Sequence, residues 1–304
     1  MKRLEFHISY ICNHNCIFCS EYDRLQKYKN NPLTILQIKT ILLDRRKKWF
    51  NHVNFTWGEP TLVPQFLDLL KFSKKLWYKI YVWTNWTMFS SEDFTKEALK
   101  YIDELSLSIH WYDKETCKTQ TWSEKHFEIF TKYISKNIIK YNNSNIFYFS
   151  NIVLNKYNYK YSLKILKFIK KYYPQVKQVL ISNIAPEWAA EHNFWDLVFD
   201  LLNFKNYIPE IVEYCNQNNL ILRFFGLPTC ILGEKYYNYS NDEHWEQRHT
   251  IERFTNKDWK IILQDIYSPD NSRKRAFVEK CNDCKWKIKP CTGVFKKYLD
   301  YYEI

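Results

Sequence analysis

The chain has 304 residues, with 45 lysine and arginine residues against 33 aspartate and glutamate residues, which gives a formal net charge of +12. The basic residues are scattered along the chain, so we do not expect a nucleic-acid partner from the charge alone. No stretch is long and apolar enough to span a bilayer, and the N-terminal apolar run is too short and too polar for a signal peptide. We therefore expect no membrane association.

The first predicted element is a strand at Leu4–Tyr10, whose side chains alternate as in a half-buried strand. Three cysteines follow in the next loop, Cys12, Cys16 and Cys19, with the spacing C-x3-C-x2-C. A fully ligated [4Fe–4S] cluster takes four thiolates, so three at this spacing leave one iron free to bind a small chelating molecule. A zinc site and ordinary buried cysteines are the alternatives. Cysteines spaced as metal ligands indicate a reducing compartment, so we expect a cytoplasmic protein.

Strands and helices alternate along the following part of the chain. The predicted strands are Leu4–Tyr10, His52–Thr56, Lys79–Thr84, Glu104–His110, Ile146–Leu154 and Val179–Asn183. The predicted helices between them are Thr34–Lys48, Val63–Lys75, Ser91–Tyr101, Lys125–Asn137 and Tyr161–Tyr173. This alternation predicts an α/β fold with parallel strands and crossover helices. Six such strands form an incomplete barrel, with the active site at their C-terminal ends by analogy with complete barrels.

Further short motifs lie at the ends of the predicted strands. They are Trp57-Gly58-Glu59-Pro60, Thr84-Asn85-Trp86 and Ser108-Ile109-His110-Trp111. Together with the cysteine motif they resemble the radical S-adenosylmethionine (SAM) superfamily, whose fold is a partial (β/α)6 TIM-like barrel. The resemblance implies a [4Fe–4S] cluster whose open iron chelates the methionine moiety of SAM. One electron then cleaves SAM to a 5′-deoxyadenosyl radical.

The same resemblance implies a set of SAM-binding residues at or near the strand ends. They are Phe18, Trp57, Gly58, Glu59, Asn85, Ser108, Asn155 and Ala185. The Gly58-Glu59 motif is expected to hold the methionine ammonium, Asn85 and Ser108 the carboxylate or the ribose, Asn155 the ribose, and Ala185 the adenine. Each polar residue in this set has an alternative role as a helix cap or turn residue.

Tryptophan stands at positions where glycine is expected. The chain has 12 tryptophans and only 4 glycines, although average chains contain about 7% glycine. The positions concerned either match a family glycine or lie at a turn where positive φ is favoured: Trp49, Trp57, Trp77, Trp86, Trp111, Trp122 and Trp188. We hypothesise that the gene comes from a lineage that reads UGA as glycine. A chain that genuinely carries indoles at these positions is the alternative.

After Asn193 the chain is predicted to leave the barrel, which divides it into a core of residues 1–193 and an extension of residues 194–304. The extension is predicted to contain a helical region to about Asn218 and a strand at Ile221–Phe225. Two further cysteines, Cys117 and Cys215, lie outside every motif and are expected to be structural.

The extension carries four cysteines: Cys230, Cys281, Cys284 and Cys291. Their layout resembles the single-cluster C-terminal extensions called twitch domains, which are related to the longer SPASM domains. The resemblance implies a second, fully ligated [4Fe–4S] cluster. The spacing C-x2-C-x6-C also suits zinc bound by four thiolates, which is the alternative.

No general acid–base pair or nucleophile is predicted, because the cofactor performs the difficult step of radical chemistry. The leading hypothesis is a radical SAM enzyme that abstracts hydrogen from a peptide or protein side chain and receives electrons from a donor such as flavodoxin or ferredoxin. A second hypothesis is a cofactor-biosynthesis enzyme that acts on a small molecule and is similar to the molybdopterin-pathway cyclase. That relative uses three C-terminal cysteines, whereas this chain has four. A third is a noncatalytic, zinc-stapled binding protein.

Overall fold

The computed structural model describes residues 2–186, 189–241, 248–268, 275–287 and 291–302. The strands in these ranges are β1 (Arg3–His7), β2 (His52–Thr56), β3 (Lys79–Thr84), β4 (Glu104–Ser108), β5 (Phe147–Leu154), β6 (Val176–Asn183), β7 (Ile221–Phe225), β8 (Arg248–Thr255), β9 (Ile261–Ser268), β10 (Arg275–Ala276) and β11 (Val294–Phe295). Strands β1 to β9 form one sheet in the order β7-β6-β5-β4-β3-β2-β1-β8-β9, and β10 pairs with β11.

The α-helices alternate with these strands along much of the chain. They are α1 (Tyr22–Tyr28), α2 (Ile35–Lys47), α3 (Phe66–Lys75), α4 (Glu92–Ala98), α5 (Lys114–Thr121), α6 (Lys125–Glu128), α7 (Ser135–Lys140), α8 (Ser162–Tyr172), α9 (Ala189–His192), α10 (Phe194–Leu197), α11 (Leu201–Phe204), α12 (Ile208–Gln217), α13 (Thr229–Leu232) and α14 (Lys297–Tyr302). A π-helical turn, Ile129–Ile134, joins α6 to α7. None of these described helices is long and apolar enough to cross a membrane.

The predicted fold class is confirmed: the protein is an α/β fold built on an open, mainly parallel sheet. Every neighbouring pair from β7 to β8 in this order is parallel. Strand β9 is antiparallel to β8. Every residue of β2 is buried, as expected for a parallel strand with both faces covered. Consecutive parallel strands place their C-terminal ends at one edge, where the predicted motifs lie.

The sheet is wider than the six predicted strands because the C-terminal part of the chain adds strands at both of its edges. Strand β7 pairs with β6 at one edge. Strand β8 pairs with β1 at the other, so that the Phe6 position lies opposite Ile251. The predicted division at residue 193 stays a prediction, and residues on both sides of it share this one sheet.

The hairpin of β8 and β9 was not predicted. Its first strand pairs with β1, nearly the whole chain length away, so no local pattern reveals the pairing. Its turn runs from Asn256 to Lys260, and Trp259 takes the left-handed position of this turn with φ of 61°. Glycine is the residue that marks such a turn in a sequence, and its place is taken here by tryptophan.

Candidate active site

A cavity of about 230 Å³ lies at the C-terminal ends of the parallel strands. It is smaller than the ~300–1,000 Å³ typical of small-molecule sites. The predicted site residues that line it are Cys12, Cys16, Phe18, Cys19, Trp57, Gly58, Asn85, Ser108 and Ala185. The structure therefore brings most of the predicted cluster and SAM-binding residues to one place, although they come from several separate segments of the chain.

The cysteine loop places three free thiols at the wall of this cavity. The sulfur of Cys12 accepts hydrogen bonds from the His14 backbone N–H at 3.4 Å and from Asn85 Nδ2 at 3.6 Å. Burial raises the pKa of Cys12 to about 11 and that of Cys19 to about 12. Burial and the neighbouring thiols raise the pKa of Cys16 well above its ordinary value. A buried thiolate here requires a bound cation to stabilise it.

Within the described ranges, no group of three or more histidine, cysteine, aspartate or glutamate side chains is arranged to hold a metal ion. A mononuclear site needs all its sulfurs about 2.3 Å from one zinc ion. Cysteine ligands of an iron–sulfur cluster are spread over a larger group of several irons. The three thiols at the cavity wall, with N–H groups directed at Cys12, fit a cluster in donor chemistry.

Gly58 brings the loop after β2 against the cysteine loop. Its φ is +58°, and a Cβ at this position would lie 2.6 Å from the Ser9 carbonyl oxygen and 2.9 Å from that of Ile11. The next residue donates its backbone N–H to the same Ile11 oxygen at 2.8 Å. Only glycine fits this close backbone approach, so the loop after β2 and the cysteine loop are held at a fixed distance.

Glu59 is fully buried and does not line the cavity. Its Oε1 accepts hydrogen bonds from Thr61 N–H (3.1 Å), Thr61 Oγ1 (2.5 Å) and Thr84 Oγ1 (2.7 Å), and its Oε2 accepts one from Asn85 N–H (2.6 Å). Burial raises the pKa of this carboxyl group and these hydrogen bonds oppose the rise. The carboxylate therefore joins the loop after β2 to the end of β3.

Asn85 connects this arrangement to the cysteine loop. Its Nδ2 donates to Asn13 Oδ1 at 2.7 Å as well as to the Cys12 sulfur. Its Oδ1 accepts from the N–H and hydroxyl groups of Thr87. Asn85 thus fixes the position of the cysteine loop while it lines the cavity.

Trp57 lines the cavity. Its φ is 65°, its ring centroid lies 5.1 Å from that of His7, and its Nε1 donates to Glu5 Oε1 at 3.1 Å. Trp111 also lines the cavity, but it does not adopt a positive φ and packs in an aromatic cluster with Phe130 at 5.1 Å. The predicted glycine position at Trp188 lies outside the described residues.

Two further predicted residues have defined partners at the wall. Ser108 Oγ accepts a hydrogen bond from Trp83 Nε1 at 3.2 Å. Phe18 contacts the imidazole of His110 edge to face at 4.6 Å. Val153 N–H donates to His110 Nδ1 at 2.9 Å, so the imidazole carries its proton on Nε2. Burial lowers the pKa of His110 to about 3, which keeps the ring neutral.

Asn155 is not placed at the cavity. It is fully buried, and its amide exchanges two hydrogen bonds with Gln120, at 2.8 and 3.1 Å. The cavity wall has instead Asn151 and Ser182, whose side chains share a hydrogen bond of 2.9 Å. The prediction missed both, although alternation along β5 assigns Asn151 to the same face as Val153, which also lines the cavity.

A buried charged network below the cavity was also missed. His7 lies 3.4 Å from Glu5 and 3.4 Å from Glu252, and Arg24 pairs with both oxygens of Glu252. Burial lowers the pKa of His7. The Arg24–Glu252 ion pair joins α1 to β8, and His7 of β1 contacts Glu252 of β8, so these side chains pack the C-terminal hairpin against the N-terminal part of the chain.

The four cysteines of the extension lie near one another but away from this cavity. Cys230 is exposed in α13, and Cys291 is buried. Although the residue as a whole is exposed, desolvation of its thiol raises the pKa of Cys230, and the nearby thiols of Cys291, Cys281 and Cys284 raise it further. Gly293 N–H donates to the Cys291 sulfur at 3.4 Å. Cys230 and the stretch from Cys281 to Cys291, which are about 50 residues apart in the sequence, thus meet in the extension.

The family model of the radical SAM superfamily matches residues 6–181 of the chain. An S-adenosylmethionine-dependent nucleotide dehydratase from Flammeovirga pacifica is 28% identical over 173 residues, which are 55% of this chain and 53% of that protein. The chain therefore spans about half the length of this curated relative.

Solved structures share the fold. Streptococcus suis SuiB bound to S-adenosylmethionine matches 82% of this chain and 57% of SuiB, with a TM-score of 0.58 and 16% identity. SuiB bound to its precursor peptide SuiA matches 73% of this chain and 48% of SuiB (TM-score 0.55, 19% identity). The protein anSMEcpe with bound AdoMet and Kp18Cys peptide matches 74% of this chain and 63% of its own (TM-score 0.52, 18% identity).

Proposed function

The chain belongs to the radical SAM superfamily, and from this premise we propose that it cleaves SAM reductively and abstracts a hydrogen atom from a peptide or protein side chain. Membership of the superfamily implies a [4Fe–4S] cluster and SAM as cofactors. The observation that carries the proposal is the shared cavity, whose wall contains all three cysteines of the first motif together with Gly58 and Asn85.

We assign the cluster to Cys12, Cys16 and Cys19. When bound, it supplies the electron that cleaves SAM to the 5′-deoxyadenosyl radical. The chain's own residues hold the cysteine loop: Asn85 donates to the Cys12 sulfur and to Asn13. N–H donors of this kind stabilise a thiolate, and partners outside the ligand set commonly tune a metal site.

The residues proposed to bind SAM are those at the cavity wall: Phe18, Gly58, Asn85, Ser108 and Ala185. In this proposal Glu59 acts through the loops it joins, since both of its oxygens already accept hydrogen bonds within the protein. In this proposal Asn151 makes the polar contact to SAM that the family resemblance predicted for Asn155.

The proposed substrate class rests on the charge of the cavity wall. The described residues that line it include one carboxylate, Glu21, and no lysine or arginine. Such a wall favours a neutral or cationic group over a phosphate. Peptides are also the bound molecules in the SuiB and anSMEcpe structures that share this fold. An electron donor such as flavodoxin or ferredoxin completes the proposal.

A nucleotide is the second candidate substrate. It is favoured by one observation, the 28% identity of the core to a nucleotide dehydratase. The two candidates need cavity walls of different charge. A nucleotide brings phosphate charges, and the described residues of this wall include no lysine or arginine to pair with them.

For the extension we propose a second, fully ligated iron–sulfur cluster held by Cys230, Cys281, Cys284 and Cys291, as in twitch and SPASM domains. Two observations support it. The four thiols are neighbours, and the SuiB match covers 82% of this chain, which is more than residues 1–193 contain. The match in fold therefore reaches into the extension.

The proposal is tested on the full chain reconstituted anaerobically with iron and sulfide, reduced with dithionite and given SAM. We expect 5′-deoxyadenosine as the product and two clusters per chain. The triple variant Cys12→Ala, Cys16→Ala, Cys19→Ala should retain one cluster and lose the product. The control Cys215→Ala removes a buried thiol outside both sites and should keep both. Product from the triple variant would refute the assignment, and no product from the intact protein would favour a binding protein.

Substrate class is tested by stimulation of 5′-deoxyadenosine release. Short peptides encoded beside the gene are compared with ribonucleoside triphosphates under the same conditions. Stimulation by a peptide, with deuterium transfer from a labelled side chain into 5′-deoxyadenosine, supports the leading proposal. Stimulation by a nucleoside triphosphate alone would replace it with the second candidate.

A further inference from the structure

The left-handed backbone positions of this protein are occupied mainly by tryptophan. All four glycines have positive φ, and so do eight other described residues. Six of these eight are tryptophans, with φ between 60° and 69°: Trp49, Trp57, Trp77, Trp86, Trp122 and Trp259. Positive φ is uncommon for any residue except glycine and is a genuine outlier for bulky side chains. Asparagine, which tolerates this region, accounts for one position only, Asn219.

Two of the six end helices in the Schellman motif, in which glycine is the usual residue. Trp49 follows α2, where its N–H donates to the Arg46 oxygen and the N–H of Phe50 donates to the Arg45 oxygen, both at 3.1 Å. Trp77 follows α3, where its N–H donates to the Lys74 oxygen at 2.9 Å and the N–H of Tyr78 donates to the Ser73 oxygen at 3.2 Å. The hydrogen-bond pattern therefore demands a left-handed residue at both positions.

Two further tryptophans of the six occupy the left-handed position of other kinds of turn. Trp122 ends α5, with a single hydrogen bond of 2.8 Å from its N–H to the Lys118 oxygen, as in the simpler left-handed cap. Trp259 is the fourth residue of the turn that begins at Asn256, to whose oxygen its N–H donates at 3.1 Å. Asparagine first and glycine fourth is a common turn pattern.

The indoles at these four turns bury almost nothing that would offset the backbone strain. Trp49, Trp77, Trp122 and Trp259 are 80%, 82%, 72% and 86% exposed. Packing therefore gives no reason for tryptophan at these places. By contrast, Trp83, Trp111 and Trp195 do not adopt a positive φ.

Of the remaining two, Trp57 lines the cavity. Trp86 is fully buried just after β3, where its Nε1 donates to the Ser106 carbonyl oxygen at 2.6 Å. We infer that residues 49, 57, 77, 86, 122 and 259 are glycine in the functional protein, specified by UGA codons that its translation system reads as glycine. Trp83 and Trp195, which neither adopt a positive φ nor match a family glycine, are specified by UGG.

The consequence at position 57 rests on the proposed function, because it concerns the SAM cavity. Glycine there returns the volume of the indole to the cavity and opens a recess that ends on Glu5 and His7. Both are buried, and Glu5 Oε1 is a hydrogen-bond acceptor for the indole N–H. The recess therefore suits a group that donates a hydrogen bond. At the four exposed positions the inference concerns backbone energetics alone.

The test uses two variants of the full chain. One carries Trp49→Gly, Trp77→Gly, Trp122→Gly and Trp259→Gly together. The control carries Trp195→Gly, which removes an indole that is 56% exposed from the short helix α10, without positive φ. We expect the Tm of the fourfold variant to rise by about 2 °C per site, and that of the control to fall, since glycine destabilises a helix. An unchanged or lower Tm of the fourfold variant overturns the inference.

The codons give a second, independent readout. UGA at the six positions and UGG at Trp83 and Trp195 is the expected result, and UGG at the six positions overturns the inference. Neither measurement involves SAM or a cluster. The inference and the proposed function can therefore fail separately.

Discussion

The indole N–H of Trp57 donates a hydrogen bond to the carboxylate of Glu5 over 3.1 Å. Glu5 lies within β1, four residues from Ser9, whose carbonyl oxygen contacts Gly58. The side chain of Trp57 therefore reaches from the loop where SAM is proposed to bind down into the interior of the sheet. A non-glycine residue in the left-handed region costs ~1–2 kcal/mol, and here its side chain also lines the cavity.

Replacing Trp57 by glycine should strengthen SAM binding. The substitution removes the indole from the cavity and relieves the backbone strain at φ of 65°. We expect the Kd for SAM to fall by about tenfold, which corresponds to ~1.4 kcal/mol. Anaerobic isothermal titration calorimetry on the reconstituted protein measures this change. Trp57→Phe keeps an aromatic ring in the cavity and should bring little gain. Equal or weaker binding by the glycine variant would show that the indole belongs in the site.

Asn85 should matter for the cluster more than for folding. Asn85→Leu removes the donor to the Cys12 sulfur and to Asn13 while it leaves the backbone N–H that Glu59 accepts. Loss of such supporting partners commonly costs 10–100-fold, so we expect the rate of 5′-deoxyadenosine formation to fall by about this factor. Asn142→Leu, at an exposed position after α7, is the control. A variant with full activity and an unchanged cluster spectrum would contradict the assigned role.

The sequence carried enough information to predict the central strands. The bounds of β2, β3 and β7 agree with the predicted ones, and each strand is followed within two residues by a glycine or asparagine, which favours a turn. The meeting of the cysteine loop with Gly58 and Asn85 also follows from the sequence, since the C-terminal ends of parallel strands lie at one edge. Local patterns are sufficient for such features.

Features that depend on distant partners or on side-chain direction were not predictable. The pairing of β8 with β1 depends on residues at opposite ends of the chain. The choice between Asn151 and Asn155 depends on where β5 ends. Asn151 points to the cavity from inside the strand, whereas Asn155 follows the strand and pairs with Gln120. In the sequence Asn151 lies inside the predicted strand and Asn155 directly follows it, and only the fold shows which of the two reaches the cavity.

The amide pair of Asn155 and Gln120 should be structural. Asn155→Leu leaves the buried Gln120 amide without its two bonds, which should lower the free energy of unfolding by about 1–3 kcal/mol. The double variant with Gln120→Leu removes both amides and should recover part of this loss, because the Tyr157 N–H still lacks its acceptor on Asn155. Chemical denaturation measures the stability, and the Kd for SAM serves as the second readout. Weaker SAM binding by the folded single variant would restore Asn155 as a ribose contact.

His110 should make the protein lose stability as the pH falls. Its pKa is lowered from 6.5 to about 3 by burial, so the unfolded chain binds a proton that the folded protein does not accept. The contribution of His110 to stability is therefore complete above pH 6.5. It decreases as the pH falls towards 3, by up to ~1.4 kcal/mol per pH unit.

The variant His110→Asn isolates this contribution, since its side-chain oxygen can still accept the Val153 N–H and does not titrate in this range. The slope of unfolding free energy against pH between 6.5 and 3, measured by urea denaturation, should be shallower for the variant than for the parent protein. Other buried histidines, such as His52 with its pKa of about 4, remain in both proteins and cancel in the comparison. Equal slopes would mean that His110 becomes protonated in the folded state, which its buried contact with Phe18 and the Val153 hydrogen bond should prevent.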